Sequence, residues 1–171
     1  VVGSIGAFGD NAFMEKMNGD CNIAAVEQAS ASSTVSRFVF VSVHQYQFPS
    51  WLLNGYFNGK RRAEASATAA FPDSAVILQP GMVYGTRHLP DSDKTIPLTY
   101  VGRPLEVFLN VLSPLSSVLN AVPVVGTGIA SLMAPPIEVG VLADAAVSTA
   151  LPTSTASGIL DVAAIHQNAS A

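Results

Sequence analysis

The chain has 171 residues, of which 12% are charged and 49% hydrophobic, with mean hydropathy +0.40 and net charge −4. Sparse charge with abundant apolar residues excludes a disordered chain, and the acidic balance (pI about 5.1) provides no electrostatic footprint for nucleic acid. Cys21 is the single cysteine, so an internal disulfide is excluded, and it cannot by itself build a metal site.

A chain of this length can form one domain that buries about 70% of its unfolded surface. Residues 1–6 read as a strand running into the Gly-rich turn Gly6-Ala7-Phe8-Gly9. From Asn11 to Ala31 the pattern predicts a long helix whose face Ala24, Ala25 and Ala29 is suited to close packing on a sheet. Cys21 sits on that helix and reads as a buried thiol. Residues 37–43 are apolar, β-branched and aromatic, free of Gly and Pro, and predict a buried strand ending near Ser42. Phe57–Phe71 reads as helix, stopped by Pro72-Asp73. A further strand is predicted at Ala75–Leu78, leading into Pro80-Gly81-Met82-Val83-Tyr84-Gly85-Thr86-Arg87. Strand and helix alternate, which predicts an α/β domain with a parallel, doubly wound sheet.

Beyond Arg87 the character changes. Residues 88–94 read as a polar loop, and from Val107 to Ile137 no residue is charged. That stretch reads either as short apolar helices of a substrate-side lobe or as a greasy surface that meets a lipid-like molecule, a membrane or a partner protein. Pro114, Pro123, Gly126, Gly128 and Pro135-Pro136 cut it into pieces shorter than the roughly 20 residues of a membrane span, so no transmembrane helix is expected. Ile137–Val147 reads as a short strand feeding a helix, Gly158–Val162 as a final edge strand, and His166–Ala171 as a frayed tail. Three parts follow: 1–87, an apolar lobe at 88–136, and closing elements at 137–171. His44, His88 and His166 show no ligand spacing, and no metal is expected.

The chemistry is concentrated at two places. On a helix, Tyr56 and Lys60 lie one turn apart on the same face, and a nearby ammonium is expected to lower the tyrosine pKa toward the range useful for acid–base work. Ser42, delivered by the neighbouring strand end, can polarise a substrate carbonyl beside them. A chance Tyr-x-x-x-Lys is common, so the weight rests on order: strand, Ser, Tyr-x-x-x-Lys opening a helix, then a strand and Pro-x-x-x-Tyr-Gly-x-Arg.

That order resembles the short-chain dehydrogenase/reductase superfamily, in its extended and atypical branches. With Val2-Gly3-Ser4-Ile5-Gly6-Ala7-Phe8-Gly9, Met17-Asn18-Gly19-Asp20-Cys21-Asn22 and Gly55–Glu64, it resembles the NAD(P)-binding proteins of plastids and mitochondria, which include plant plastoglobule proteins and relatives of the complex I Rossmann-domain accessory subunit. The resemblance spans Val1 to about Val162. It implies a Rossmann-type sheet, an NAD(P) cofactor, an organellar location (chloroplast ahead of mitochondrion), and either an oxidoreductase for a quinone- or isoprenoid-like substrate or a non-catalytic assembly subunit of a membrane complex.

By the same resemblance Tyr56 is the acid/base, Lys60 holds the nicotinamide ribose, Ser42 orients the carbonyl and Asn18 supports a proton relay. Gly6, Ala7 and Phe8 lie toward the adenosine side, the backbone of Pro80, Gly81 and Val83 contacts the nicotinamide amide, and Arg87 meets a charged substrate group. The resemblance also places a first βαβ unit with the Gly-rich pyrophosphate turn ahead of Val1. No G-x-G-x-x-G occurs in this sequence, so the chain is expected to be the C-terminal two-thirds of a longer protein. Most dinucleotide affinity would then lie outside it, and the strand at Val1–Ile5 would be an open, aggregation-prone edge.

Overall fold

The computed structural model describes residues 1–45, 53–88, 95–97 and 134–170. At its centre is a four-stranded parallel sheet in the order β1 (Val2–Gly3), β2 (Phe38–Val41), β3 (Ala75–Leu78) and β8 (Gly158–Leu160). Val2 pairs with Val39, Phe38 with Ala75, and Val76 with Gly158. The central strands are apolar at every position because both faces of the sheet are covered. Phe38, Phe40, Ala75 and Ile77 point to one face. There they meet Val26 and Ala29 of α2 (Cys21–Ser30) and Ala63 and Ala67 of α3 (Asn54–Ala70). Phe38 also stacks on Phe71, with ring centroids 5.7 Å apart. The alternate residues Val39, Val76 and Leu78 face the other way. Their neighbours are Ile137 of β7 (Ile137–Glu138), Leu142, Ala145 and Ala146 of α4 (Val139–Ala150), and Ile165 of α5 (Val162–Ala169). The molecule is thus a mixed α/β domain with helices on both faces of a parallel sheet. Both outer strands are exposed: Val2 on β1 is 46% exposed and Ile159 on β8 is 57% exposed.

Three expectations are corrected. The helix predicted over Asn11–Ala31 is interrupted. It runs as α1 (Asn11–Glu15), a π-helical turn at Lys16–Asp20, and then α2. A π turn takes an extra residue, which rotates every later side chain by about 100° around the axis. The sheet-facing stripe is accordingly Asn22, Val26 and Ala29, while Ala24 is exposed and Ala25 half-buried. Cys21 is half-buried rather than buried.

The tail expected to fray is helix α5. Asp161 caps it, accepting from the Ala164 amide at 2.9 Å, and Ile165 is fully buried. Ser148 of α4 donates to the Asn168 carbonyl at 2.6 Å, fastening the last turn.

Past β4 (Val83–Tyr84), which pairs with β7, the chain forms β5 (Thr86–His88), antiparallel to β6 (Thr95–Pro97). The rest of the predicted polar loop, residues 89–94, and the charge-free lobe through residue 133 lie outside the described residues. Ile137, the last residue of that stretch, is a core residue of β7. None of the described helices is long and apolar enough to cross a membrane.

Candidate active site

The carboxyl ends of β2 and β3 open onto a cavity of about 560 Å3. Its lining includes Gly6 and Phe8 from the loop after β1, Ser42 and Val43 just past β2, Leu53, Tyr56, Phe57 and Lys60 around the start of α3, and Pro80, Gly81, Met82 and Val83 after β3. The crevice beyond the carboxyl ends of parallel strands is where open α/β sheets bind ligands. Ten residues were expected to form the site besides Arg87. Eight of them (Gly6, Phe8, Ser42, Tyr56, Lys60, Pro80, Gly81 and Val83) line this one cavity.

Helix α3 is set by a close crossing with the first helix. A Cβ on Gly59 would stand 2.8 Å from the Gly19 nitrogen, and one on Gly55 would stand 2.0 Å from the Asn11 carbonyl oxygen. Only glycines permit this approach, which brings the π turn against α3. Leu53, immediately before the helix, adopts left-handed backbone (φ 56°), a conformation that costs a non-glycine residue about 1 kcal/mol or more.

Asn18 and Ala7 do not line the cavity, yet they shape it. Asn18 sits in the π turn, fully buried, and its side chain clamps the loop after β1. The Oδ1 accepts from the Ala7 amide at 3.3 Å, and Nδ2 donates to the Ala7 carbonyl at 2.8 Å and to the Met14 carbonyl at 2.7 Å. Gly6 lies beside this clamp, and a Cβ there would stand 3.3 Å from Asn18 Oδ1 and 3.7 Å from Lys60 Nζ. Glycine therefore leaves the space over the lysine head open.

Lys60 is only 3% exposed. Its Nζ donates to the Ile5 carbonyl at 3.0 Å and the Val41 carbonyl at 2.9 Å, and stands 4.8 Å over the Phe40 ring. Burial lowers its pKa to about 8, with the Glu64 carboxylate pulling back the other way. Three N–H bonds are present in the ammonium form and two are used, so one position remains for a ligand oxygen.

Tyr56 is stacked parallel on Phe8 with centroids 5.0 Å apart, and Phe57 meets it edge-on at 5.4 Å. The expectation that Lys60 lowers the Tyr56 pKa is overturned. Burial pushes the phenol above its ordinary value, and the cation that opposes this shift is Arg61, not Lys60. The reason is geometric: the lysine head is held by the carbonyls of Ile5 and Val41, and its own charge is disfavoured by the same desolvation.

Ser42 is buried, with its amide paired to the Leu78 carbonyl at 2.8 Å. Its hydroxyl donates to Glu64 Oε1. The same oxygen accepts from Gln79 Nε2 at 3.0 Å and from Arg61 Nη1, whose Nη2 donates to the Val43 carbonyl at 2.6 Å. Glu64 and Gln79 received no role from the sequence. The signal for Glu64 was present, since Tyr56, Lys60 and Glu64 repeat every four residues along one stripe of α3. Arg87 lies on β5, and its side chain falls outside what is described. Among the described residues no group of His, Cys, Asp or Glu is arranged to hold a metal.

The chain is 37% identical, over 149 residues, to an uncharacterized chloroplastic protein of Arabidopsis thaliana. The match covers 86% of this chain and 48% of that relative, so the chain spans about half of its length. No family model matches the chain, and no solved structure matches it.

Proposed function

We propose that this chain is part of an NAD(P)-dependent oxidoreductase of the atypical short-chain dehydrogenase/reductase kind, with a Rossmann-type sheet, acting on a hydrophobic substrate that carries one reactive oxygen. The observation that carries the reading is the convergence of Tyr56, Lys60 and Ser42 on one cavity at the carboxyl ends of β2 and β3, with Asn18 fixing its rim. The relative's chloroplastic description supports a chloroplast location.

The residues fit the nicotinamide end of a dinucleotide. The remaining N–H of Lys60, facing the space that Gly6 leaves open, suits a ribose hydroxyl. The backbone of Pro80, Gly81 and Val83 suits a carboxamide, and the Gly6–Phe8 loop follows β1, across β2 from the strand β3 that precedes Pro80. Such a cofactor, when bound, would supply hydride chemistry. The chain's own residues orient the substrate and handle its proton. Tyr56, kept protonated by burial, is a proton donor to the substrate oxygen, since a phenol above its ordinary pKa remains neutral throughout the working range. The walls of Val41, Val43, Leu53, Met82 and Val83 take an apolar skeleton and keep water from the reacting atoms.

The test is titration of the protein with NADH and NADPH, followed by cofactor fluorescence. Blue-shifted, enhanced emission that disappears in Lys60→Met is expected, and Tyr56→Phe should keep cofactor binding while turnover of the full-length enzyme falls by at least 100-fold. Absence of any fluorescence change with either dinucleotide on the full-length protein rejects the reading. A second reading, an assembly subunit that keeps the fold without catalysis, is favoured by one observation: the outer side of β1, which no described strand pairs and where Val1 and Val2 are both about half exposed. Under that reading Tyr56→Phe leaves assembly and function untouched.

A further inference from the structure

A serine facing a substrate oxygen is useful in two opposite ways. Its hydrogen can be donated to a carbonyl, or its lone pairs can accept from a hydroxyl. Which applies depends on where the hydrogen is engaged, and here three observations bear on it. The Ser42 hydroxyl donates to Glu64 Oε1. That oxygen is itself held by Gln79 Nε2 and Arg61 Nη1, both of which can only donate, so the carboxylate stays oriented as an acceptor. Glu64, Gln79 and Ser42 are buried, at 8%, 5% and 5% exposed, so water does not readily replace the serine or the glutamine, while Arg61 closes the arrangement from its more open side. Turning the serine hydrogen toward the cavity would leave a buried carboxylate short of a charge-assisted hydrogen bond, the more expensive kind to lose.

We propose that Ser42 and Glu64 form a hydrogen-bond-accepting subsite in which Glu64 is a positioning residue, so that the ligand oxygen bound beside Tyr56 and Ser42 belongs to a hydroxyl, an alcohol or phenol, rather than to a carbonyl. The rest of the cavity agrees with this assignment. A hydroxyl oxygen has both a hydrogen to give and lone pairs to receive, and the site offers a complementary pair: Ser42 Oγ accepts, and the neutral phenol of Tyr56 donates. A carbonyl can take only the second of these contacts. Lys60 does not change the balance, since two of its hydrogens are committed to Ile5 and Val41. The inference rests on the cavity being the substrate site, as proposed above, and specifies the oxidation state it binds best: the reduced, hydroxyl-bearing partner of a carbonyl/alcohol or quinone/quinol pair.

The probes are 2-naphthol and 2-acetylnaphthalene, equally apolar and redox-silent, titrated by calorimetry into the full-length protein near pH 7. Naphthol is expected to bind about tenfold more tightly, the worth of one well-made hydrogen bond to an acceptor that the ketone cannot use. In Glu64→Leu the Ser42 hydrogen loses its acceptor and is free to turn into the cavity, so the preference falls to parity or reverses. Ser42→Ala, which retains the carboxylate and its other donors, removes the preference without reversing it, and decides the matter should Glu64→Leu fail to fold. Equal or tighter binding of the ketone by the unmodified protein overturns the proposal. So does a preference that survives in folded Ser42→Ala, or the failure of naphthol to bind at all. Dinucleotide fluorescence recorded on the same samples separates the two readings, because a naphthol preference without dinucleotide binding removes only the dehydrogenase assignment.

Discussion

The buried lysine makes a prediction about stability that is independent of any ligand. Lys60 falls from 10.5 to about 8 on folding because burial disfavours its charge. Its folded pKa is depressed, so between pH 8 and pH 10.5 the unfolded chain binds more protons than the native one and stability rises with pH. Below pH 8 both states are protonated and the native protein carries the full cost, about 3 kcal/mol for a shift of this size. Integrating a single site between these values gives a gain of about 2 kcal/mol from pH 7 to pH 9.5, or roughly 30-fold in the unfolding constant. No discount for solvent screening is needed, since the residue is 3% exposed. The perturbation is Lys60→Met, which keeps the aliphatic stem. It removes the charge but leaves the Ile5 and Val41 carbonyls without their donor, at about 1–3 kcal/mol each, so its net effect at pH 7 is uninformative. The pH slope is the diagnostic. Urea unfolding followed by circular dichroism at pH 7, 8 and 9.5 should show the unmodified protein gaining about 2 kcal/mol on the variant across that window. Tyr56 does not interfere, because its raised pKa affects stability only above pH 10. Parallel curves for the two proteins would refute the argument and mean that the lysine head is solvated.

Gly59→Ala forces a Cβ to 2.8 Å from the Gly19 nitrogen and should cost about 1–3 kcal/mol in urea unfolding, whereas Gly140→Ala, at an exposed position in the first turn of α4 with nothing within 4 Å, should gain about 0.5 kcal/mol at most. Asn18→Ala strips both backbone groups of Ala7 and the Met14 carbonyl of their partner; amide exchange at residues 6–8 should accelerate at least tenfold, and unchanged protection would show that the clamp is not what orders the loop. Ile165→Ala should destabilise the protein by about 2–5 kcal/mol, and a shift below 1 kcal/mol would mean that α5 is not docked.

Most of the sheet and the principal cavity residues were legible because their signals are local. A β-branched run marks β2, and four-residue spacing puts Tyr56 and Lys60 on one stripe. What escaped depends on partners distant in sequence. Glu64 lies on the same stripe, but its significance appears only when Ser42 and Gln79 arrive from two other strands. The direction of the Tyr56 shift could not be read from spacing, because burial outweighs neighbouring charge and burial is a tertiary property. Asp161 was absorbed into a predicted strand, which hid its role as the cap of α5. The π turn has no periodicity of its own, so a helix of the right extent was predicted with the wrong face.

That lengthened turn ties two otherwise separate tasks to a single inserted residue. Trimming the segment by one position would restore regular winding, yet it would swing Asn22, Val26 and Ala29 away from the sheet or else carry Asn18 off the Ala7 backbone. Cavity geometry and hydrophobic seating are therefore indexed to one count along the chain. A lineage shedding that extra residue would forfeit one of them, so deletions here should be tolerated far less well than substitutions.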